Sequence, residues 1–401
     1  MKKRMLTYLF IVLLVGTAII CATKPTQAKT LDIGIVTPLT GPPAHLGTNL
    51  KNSILLAIDD QNKQGGVTIA GEKYTLNAIT RDSKCDNAVG RSVAEELVFG
   101  KKVKIVAGPF LADAIGAQTV TEPNKVILFA VTCDIPGIST PEKPYSFFIS
   151  GGGYEATING AAYVQKFYPD LKTVATVNPD LPSLPNWVHT AETLFPKYGL
   201  TWLGIEKFSA DTKDFMPVIS RVLAKKPDII DTGGTAGDMG GMCALLIKQL
   251  RGAGFNGVIM ARTVPPVPVM MEVVPEQFRT KIITNDILVD SPIVSKAYKA
   301  MYQRYVDMFK EPPIDIVGEM YDGIKPFFEF INGQDTMDTT VWMEGFAKSR
   351  WQSIWGREGR WVGKPITGIN RMLVWGFWVS EYTNGKPETK WKAPIPWDLV
   401  E

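Results

Sequence analysis

The sequence predicts an α/β protein made of two doubly wound lobes. Three observations carry this. Short apolar runs such as LDIGIV (Leu31–Val36) and VILFAV (Val126–Val131) have the character of parallel strands covered on both faces. Longer segments with apolar residues at helical spacing lie between such runs, so strands and helices alternate. The alternation occurs once before residue 132 and again from residue 173 to residue 261, and 401 residues exceed what one ordinary core holds.

In the first unit, Leu31–Val36 is the first strand. After a loop, Thr48 is a candidate cap for a helix whose apolar face is Leu50, Ile54, Ala57 and Ile58, stopped by Gly65-Gly66. Tyr74–Thr80 is a strand. Asp86 caps a helix carrying Val89, Val93, Leu97 and Val98, and Val103–Ala107 and Val126–Val131 are further strands. Tyr145–Gly153 (YSFFISGGG) has the pattern of a hinge strand followed by glycine slack.

The second unit repeats the design. Thr173–Val177, Trp202–Lys207, Asp228–Asp231 and Val258–Ala261 are strands. Trp187–Lys197, the face Phe215/Val218/Ile219/Val222/Leu223, and Asp238–Gly252 are helices. Lys281–Val289 is a candidate return crossing, and Pro292–Lys310 and Val317–Asn332 are helices. More than one crossing between two sheets makes a clam-shell. Eight of the ten tryptophans fall between Trp342 and Trp397. Core packing and lobe contact is one reading, an aromatic box or docking patch the other. Trp351 and Trp355 stand one helical turn apart.

Lys2, Lys3 and Arg4 precede a short apolar core, Leu6–Ile20, and Thr26-Gln27-Ala28 has a small-x-small pattern. This is the pattern of an export signal peptide over residues 1–28. A retained anchor needs about 20 apolar residues, and lipidation at Cys21 is disfavoured by the bulky Ile20 before it. The leader's four bases (Lys2, Lys3, Arg4, Lys24) outweigh the formal net charge of +3, so the mature chain is close to −1. Nothing in that balance argues for nucleic acid. The only histidines are His45 and His189, and no Cys/His spacing suits a metal. No metal or cofactor is expected. Beyond the leader, Cys85, Cys133 and Cys243 allow one disulfide at most.

The loop TPLTGPPAHLG (Thr37–Gly47) admits three readings. As a phosphate cradle it fails, because Gly41 and Gly47 lie too far apart and its prolines lack N–H groups. As a catalytic loop it has only His45, whose one histidine companion is in the other unit, and the chain has no G-x-S-x-G elbow. As one jaw of a clamp it fits, since ligands of open α/β sheets lie beyond the carboxyl ends of the strands.

The ordered set LDIGIVTPLTGPPAHLG, NKQGG, TRDSKCD, VKIVAGP, VILFAVTCDIPGIS, then FSADTKDFMPVISRVLAKKPDIIDTGG and RGAGFNG, resembles the leucine/isoleucine/valine-binding proteins. These are the periplasmic substrate-binding proteins of branched-chain amino acid ABC transporters. The resemblance runs from Leu31 to about Gly385. It implies a type I periplasmic binding protein fold with a three-crossing hinge, export, a membrane permease as partner, no catalysis, and a monomer. The expected division is lobe 1 at 29–148 plus 290–365, and lobe 2 at 149–289 plus 366–401.

By position, the resemblance places the ligand-binding residues at Leu46, Leu111, Ala112, Asp113, Thr132, Cys133, Asp134, Ser183, Thr235 and Arg262. Several depart from the family pattern. Ala112 lacks the family's hydroxyl, and Asp134 stands where a threonine is usual. The acid that pairs with a ligand ammonium falls near Arg262 or Thr263. A guanidinium there repels an ammonium and can hold a carboxylate. The expected cargo is therefore a small carboxylate, organic or aromatic, ahead of a plain branched-chain amino acid. Two alternatives stay open: Arg262 as a surface or hinge ion pair, and Asp134 as the missing acid or as a turn cap. The family's disulfide partner position reads Leu111, which leaves Cys85–Cys133 as a pairing only if those loops converge; Cys243 reads as a buried thiol. A sensor subunit for a signalling receptor and a secreted α/β enzyme are the competing functions.

Overall fold

The computed structural model describes residues 29–132, 135–181, 184–233, 241–261, 267–285, 287–376 and 378–401. The chain opens with β1 (Lys29–Thr37), α1 (Ala44–Lys63), β2 (Val67–Ile69), β3 (Glu72–Asp82) and α2 (Asn87–Glu95). It continues with β4 (Ile105–Ala107), α3 (Ala112–Thr121), β5 (Ile127–Thr132) and β6 (Ser146–Ser150). These strands form one sheet in the order β2-β3-β1-β4-β5-β6, parallel except for β2. The predicted Asp86 cap is present: its carboxylate accepts from Val89 N–H at 2.8 Å.

The second unit holds α4 (Gly152–Phe167), β7 (Thr173–Pro179), α5 (Leu184–Leu194), β8 (Thr201–Phe208), α6 (Met216–Ala224), β9 (Ile229–Asp231), α7 (Met242–Gly252), β10 (Val258–Ala261), α8 (Val267–Val273) and β11 (Ile282–Thr284). The chain then returns through α9 (Lys296–Phe309), α10 (Asp315–Ile331) and α11 (Thr339–Phe346) to the hairpin β12 (Arg350–Gln352)–β13 (Glu358–Arg360) and α12 (Lys364–Thr367). It ends with β14 (Trp378–Thr383), β15 (Lys386–Lys392) and α13 (Trp397–Val400). The second sheet runs β15-β14-β11-β10-β9-β7-β8, with β14 and β15 antiparallel. Two lobes, each a sheet covered on both faces, are thus the architecture.

The crossings are visible in the packing. The chain leaves the first sheet after β6, returns between β11 and α9, and leaves again before β14. Met372 bridges Phe148 beside β6, while Ile395 and Val400 pack back into the cluster formed by Val36, Val106 and Leu128.

Several local expectations are corrected. The first helix begins at Ala44, four residues before the expected Thr48 cap, with Pro43 as its N-cap; the ring of Pro43 restricts φ at that entry position. Gly152 and Gly153 are not slack but the start of α4. A Cβ at Gly153 would meet the Trp187 ring at 2.7 Å, so the glycine is required by close packing. Trp351 and Trp355 do not share a helix. Trp351 lies in β12 opposite Gly359, and Trp355 lies in the turn that follows.

Candidate functional site

Each sheet has a point where the strand order reverses, and loops at such points form a crevice. In the first sheet β1 is flanked by β3 and β4, which brings together the loops after β1, β3 and β4. In the second, β7 is flanked by β8 and β9. Of the positions named above that lie among the described residues, Thr132 ends β5, Leu111 precedes α3, Ala112 and Asp113 open α3, and Leu46 is just inside α1.

The loop after β1 is held by Asp82, at the end of β3, a residue the sequence reading did not single out. Its carboxylate accepts from Leu39 N–H at 2.8 Å, from the Thr40 hydroxyl at 2.6 Å and from Lys84 N–H at 2.9 Å. Partial burial raises its pKa, but the bonds from Thr40, Leu39 and Lys84 outweigh that and hold it below the usual range. The Thr40 hydroxyl therefore shapes the loop. Gly47 sits against Pro38, where any side chain would overlap the Pro38 carbonyl. Leu46 is half-buried beside the first core. His45 is exposed, and its carbonyl accepts from Asn49 at 3.0 Å.

The loop after β4 is organised by Asp113. This fully buried carboxylate accepts from the Ser83 hydroxyl and, at 2.8 Å, from Phe110 N–H. Burial pushes it up to about 7, against the lowering effect of those bonds. Asp113 thus welds the loop after β3 to the loop after β4 and positions its half-buried neighbours Leu111 and Ala112. Leu111 has φ +57, a region that disfavours a side chain. Such strain is typically about 1–3 kcal/mol and collects where a loop must hold one shape. Cys85 lies alongside as a free thiol, its sulfur 3.6 Å from the Phe110 carbonyl. Burial, then the nearby Asp113, pushes it up to about 11, which makes it a poor nucleophile. Thr132 ends β5, and its backbone pairs with Ser150 of β6.

In the second lobe, Asp231 at the end of β9 accepts from Thr176 at 2.9 Å and from Gly233 N–H at 3.0 Å. This fixes the chain from β9 to Gly233. Cys243 is a buried thiol facing Thr232 at 3.7 Å. Cys133, Asp134, Ser183, Thr235 and Arg262, like the leader, lie outside the described residues. A shallow cavity of about 420 Å³ opens beside the loop after β7, lined by Asp180, Leu181, Val188 and Lys207 among others. Among the described residues no group of three or more His, Cys, Asp or Glu is placed to hold a metal ion.

The hinge is built from tryptophan and one buried acid. The Trp375 indole donates to the Ile149 carbonyl at 2.9 Å, and the Trp378 indole to the Ile293 carbonyl at 3.0 Å. Trp355 stacks on Trp375 at 5.8 Å between ring centres. Glu155, buried in the first turn of α4, accepts from Trp375 N–H and, at 2.6 Å, from Gly376 N–H. The tryptophan-rich segment packs the core and ties the crossings together.

Residues 30–361 match the periplasmic binding protein family, and the chain belongs to that family. It is a family of binding proteins, which agrees with the expectation of no catalysis. The chain is 28% identical over 240 residues to the Leu/Ile/Val-binding protein BraC3 of Rhizobium johnstonii, covering 60% of this chain and 63% of the relative. The match thus spans less than two thirds of that relative. In fold it is similar to the branched-chain amino acid transporter substrate binding protein LivJ from Streptococcus pneumoniae in complex with isoleucine. The TM-score is 0.71 at 19% identity, over 90% of this chain and 98% of the other. It is equally similar to a solute binding protein of an ABC transporter from Rhodopseudomonas palustris in complex with 3,4-dihydroxy benzoic acid. Here the TM-score is 0.70 at 22% identity, over 92% and 99% of the two chains.

Proposed function

We propose that this protein is the extracytoplasmic solute receptor of an ABC importer, and that it captures a small carboxylate-bearing ligand between its lobes by hinge closure. The observation that carries the reading is the pairing of family membership with two α/β lobes whose switch-point loops are rigidly braced, by Asp82 and Asp113 in one lobe and by Asp231 in the other. Braced loops on either side of a hinge can hold a ligand at low entropic cost. Isoleucine and 3,4-dihydroxy benzoic acid, bound by two proteins of this fold, share a carboxylate.

Leu46, Leu111, Ala112 and Thr132 form the first jaw in this reading, with Cys133 and Asp134 continuing it. Asp113 acts behind them. Ser183, Thr235 and Arg262 form the second jaw, and Arg262 takes the carboxylate. The partner is a membrane permease. Residues 1–28 direct export as a signal peptide and are then removed, and the working form is a monomer. The lobes are 29–148 plus 290–365 and 149–289 plus 366–401, with Ile395 and Val400 of the last segment packed back on the first lobe.

The test is a thermal-shift screen against leucine, isoleucine, valine, polar amino acids, amides, and aliphatic and aromatic carboxylates. A ligand at about 100 times its Kd adds roughly 2.7 kcal/mol. A shift with acids that lack an amine supports the carboxylate reading, and Arg262→Gln should abolish it. A shift confined to leucine, isoleucine or valine overturns the choice of organic acids, and no shift across the panel overturns the ligand class.

A further inference from the structure

A concavity of about 540 Å³ lies where the last segments of the two lobes meet, away from the switch-point loops. Arg357, Glu358 and Arg360 come from the β12–β13 hairpin region, which packs on the first lobe through Trp355 and Trp361. Lys392 ends β15 at the edge of the second sheet, and Ile395 and Trp397 complete the wall.

The cations already reach across the junction. Arg357 donates to the Ala393 carbonyl at 3.0 Å, and Lys392 donates to the Trp355 carbonyl at 2.8 Å. Arg360 sits over the Trp397 ring, its guanidinium carbon 3.8 Å from the centroid, and pairs with Glu401 at 2.9 Å. Its Nε is buried without a hydrogen-bond partner. The acids nearby are weak counterweights. Glu358 is half-exposed and shared with Arg350, and Glu401 is also exposed. Burial pushes Glu155, behind Arg357, up to about 8. Burial, then the neighbouring Arg357, pulls Lys392 down to about 8, and burial lowers Arg357 too. The positive charge of the concavity is therefore not matched from within.

We propose that this concavity is a second ligand site, which takes a small oxyanion, an inorganic phosphate or a carboxylate, between Arg357, Arg360 and Lys392 and so braces the hinge. Guanidinium forks suit oxyanions, which accept two parallel hydrogen bonds, and the ammonium adds a point charge. Ile395 and Trp397 leave an apolar wall for any organic part. An anion held by both lobes' segments adds a tie to those made by Arg357 and Lys392.

The test titrates the purified protein with sodium phosphate, and separately with sodium acetate, each against sodium chloride at equal ionic strength. The readout is the arginine Nε–H resonances and the thermal midpoint. Saturable movement of the Arg360 Nε–H with phosphate is expected, weakened at least about ten-fold in Lys392→Gln; in Arg360→Gln, which lacks that resonance, the phosphate dependence of the thermal midpoint should weaken by a similar factor. Saturation by acetate alone supports the same site with an organic carboxylate as its source. No saturation beyond chloride overturns the proposal, and so does binding by both variants as tight as by the wild type. Should a variant fail to fold, the wild-type resonances decide: shifts confined to other arginines overturn it. An anion bound only between the jaws leaves Arg360 unmoved, which keeps this outcome separate from that of the ligand screen.

Discussion

The Trp375 indole N–H donates to the Ile149 carbonyl at 2.9 Å, and both residues are fully buried. Ile149 belongs to the strand by which the chain first leaves the first sheet, and Trp375 to the segment by which it leaves for the last time. One bond therefore joins two of the three crossings. Trp375→Phe keeps most of the apolar contact but leaves a buried carbonyl unpaired. A loss of about 1–3 kcal/mol is expected, read from the urea midpoint.

Glu155 predicts the direction of the pH dependence. Burial raises its carboxyl to about 8, against lowering by the Gly376 and Trp375 amides and by Arg357, while in the unfolded chain a glutamate titrates near ~4.3. The folded state thus binds the proton more tightly. Its contribution is complete below the unfolded value and is lost as pH rises through about 8. Asp113 and Asp322, each raised to about 7, act in the same sense. Stability should fall steadily from about pH 5 to pH 8.5 on this account. Glu155→Gln should match the wild type near the acid end and show a flatter profile, measured by urea denaturation at several pH values.

Asp113 is expected to matter through position. Asp113→Ala removes the acceptor for Ser83 and Phe110 and frees the loop that carries Leu111 and Ala112. Ligand affinity should drop by at least about ten-fold, since each buried polar bond lost is worth about 1–3 kcal/mol. Asp113→Asn should recover part of the loss in calorimetric titration, because its amide oxygen can still accept from Phe110.

Gly47 leaves no room for a side chain, because a Cβ there would overlap the Pro38 carbonyl. Gly47→Ala should cost more than about 3 kcal/mol, in the range of severe core clashes. A midpoint within 1 °C of the wild type would show that the loop yields easily.

Cys85 should be slow to alkylate. With its thiol pushed up to about 11 by burial and by Asp113, little thiolate exists at neutral pH. Iodoacetamide at pH 7 should modify it far more slowly than a free model thiol, as followed by peptide mass mapping. Unfolding in urea should remove the protection.

Strands such as Leu31–Val36 and Val126–Val131, and the Asp86 cap, were legible in the sequence because their signals are local. A continuous apolar run or a capping carboxylate works through neighbours a few residues away. The first helix, by contrast, began at Ala44, because close packing of Gly47 on Pro38 and the restricted φ of Pro43 overrode the cap expected at Thr48.

The sequence by itself determined the α/β class, the repeat of one lobe design and the course of strands such as β1 and β5. Apolar periodicity and strand-end loops are properties of adjacent residues. Tertiary structure alone decided what those residues do there. Asp82 and Asp113 brace loops because β3 and β4 flank β1. Trp351 lies on a strand because its partner across the hairpin is Gly359, where a side chain would overlap the indole. Arg357 and Lys392 share one concavity because segments 35 residues apart meet at the hinge. Each depends on contacts made only after the chain has crossed between its sheets, and local sequence does not record them.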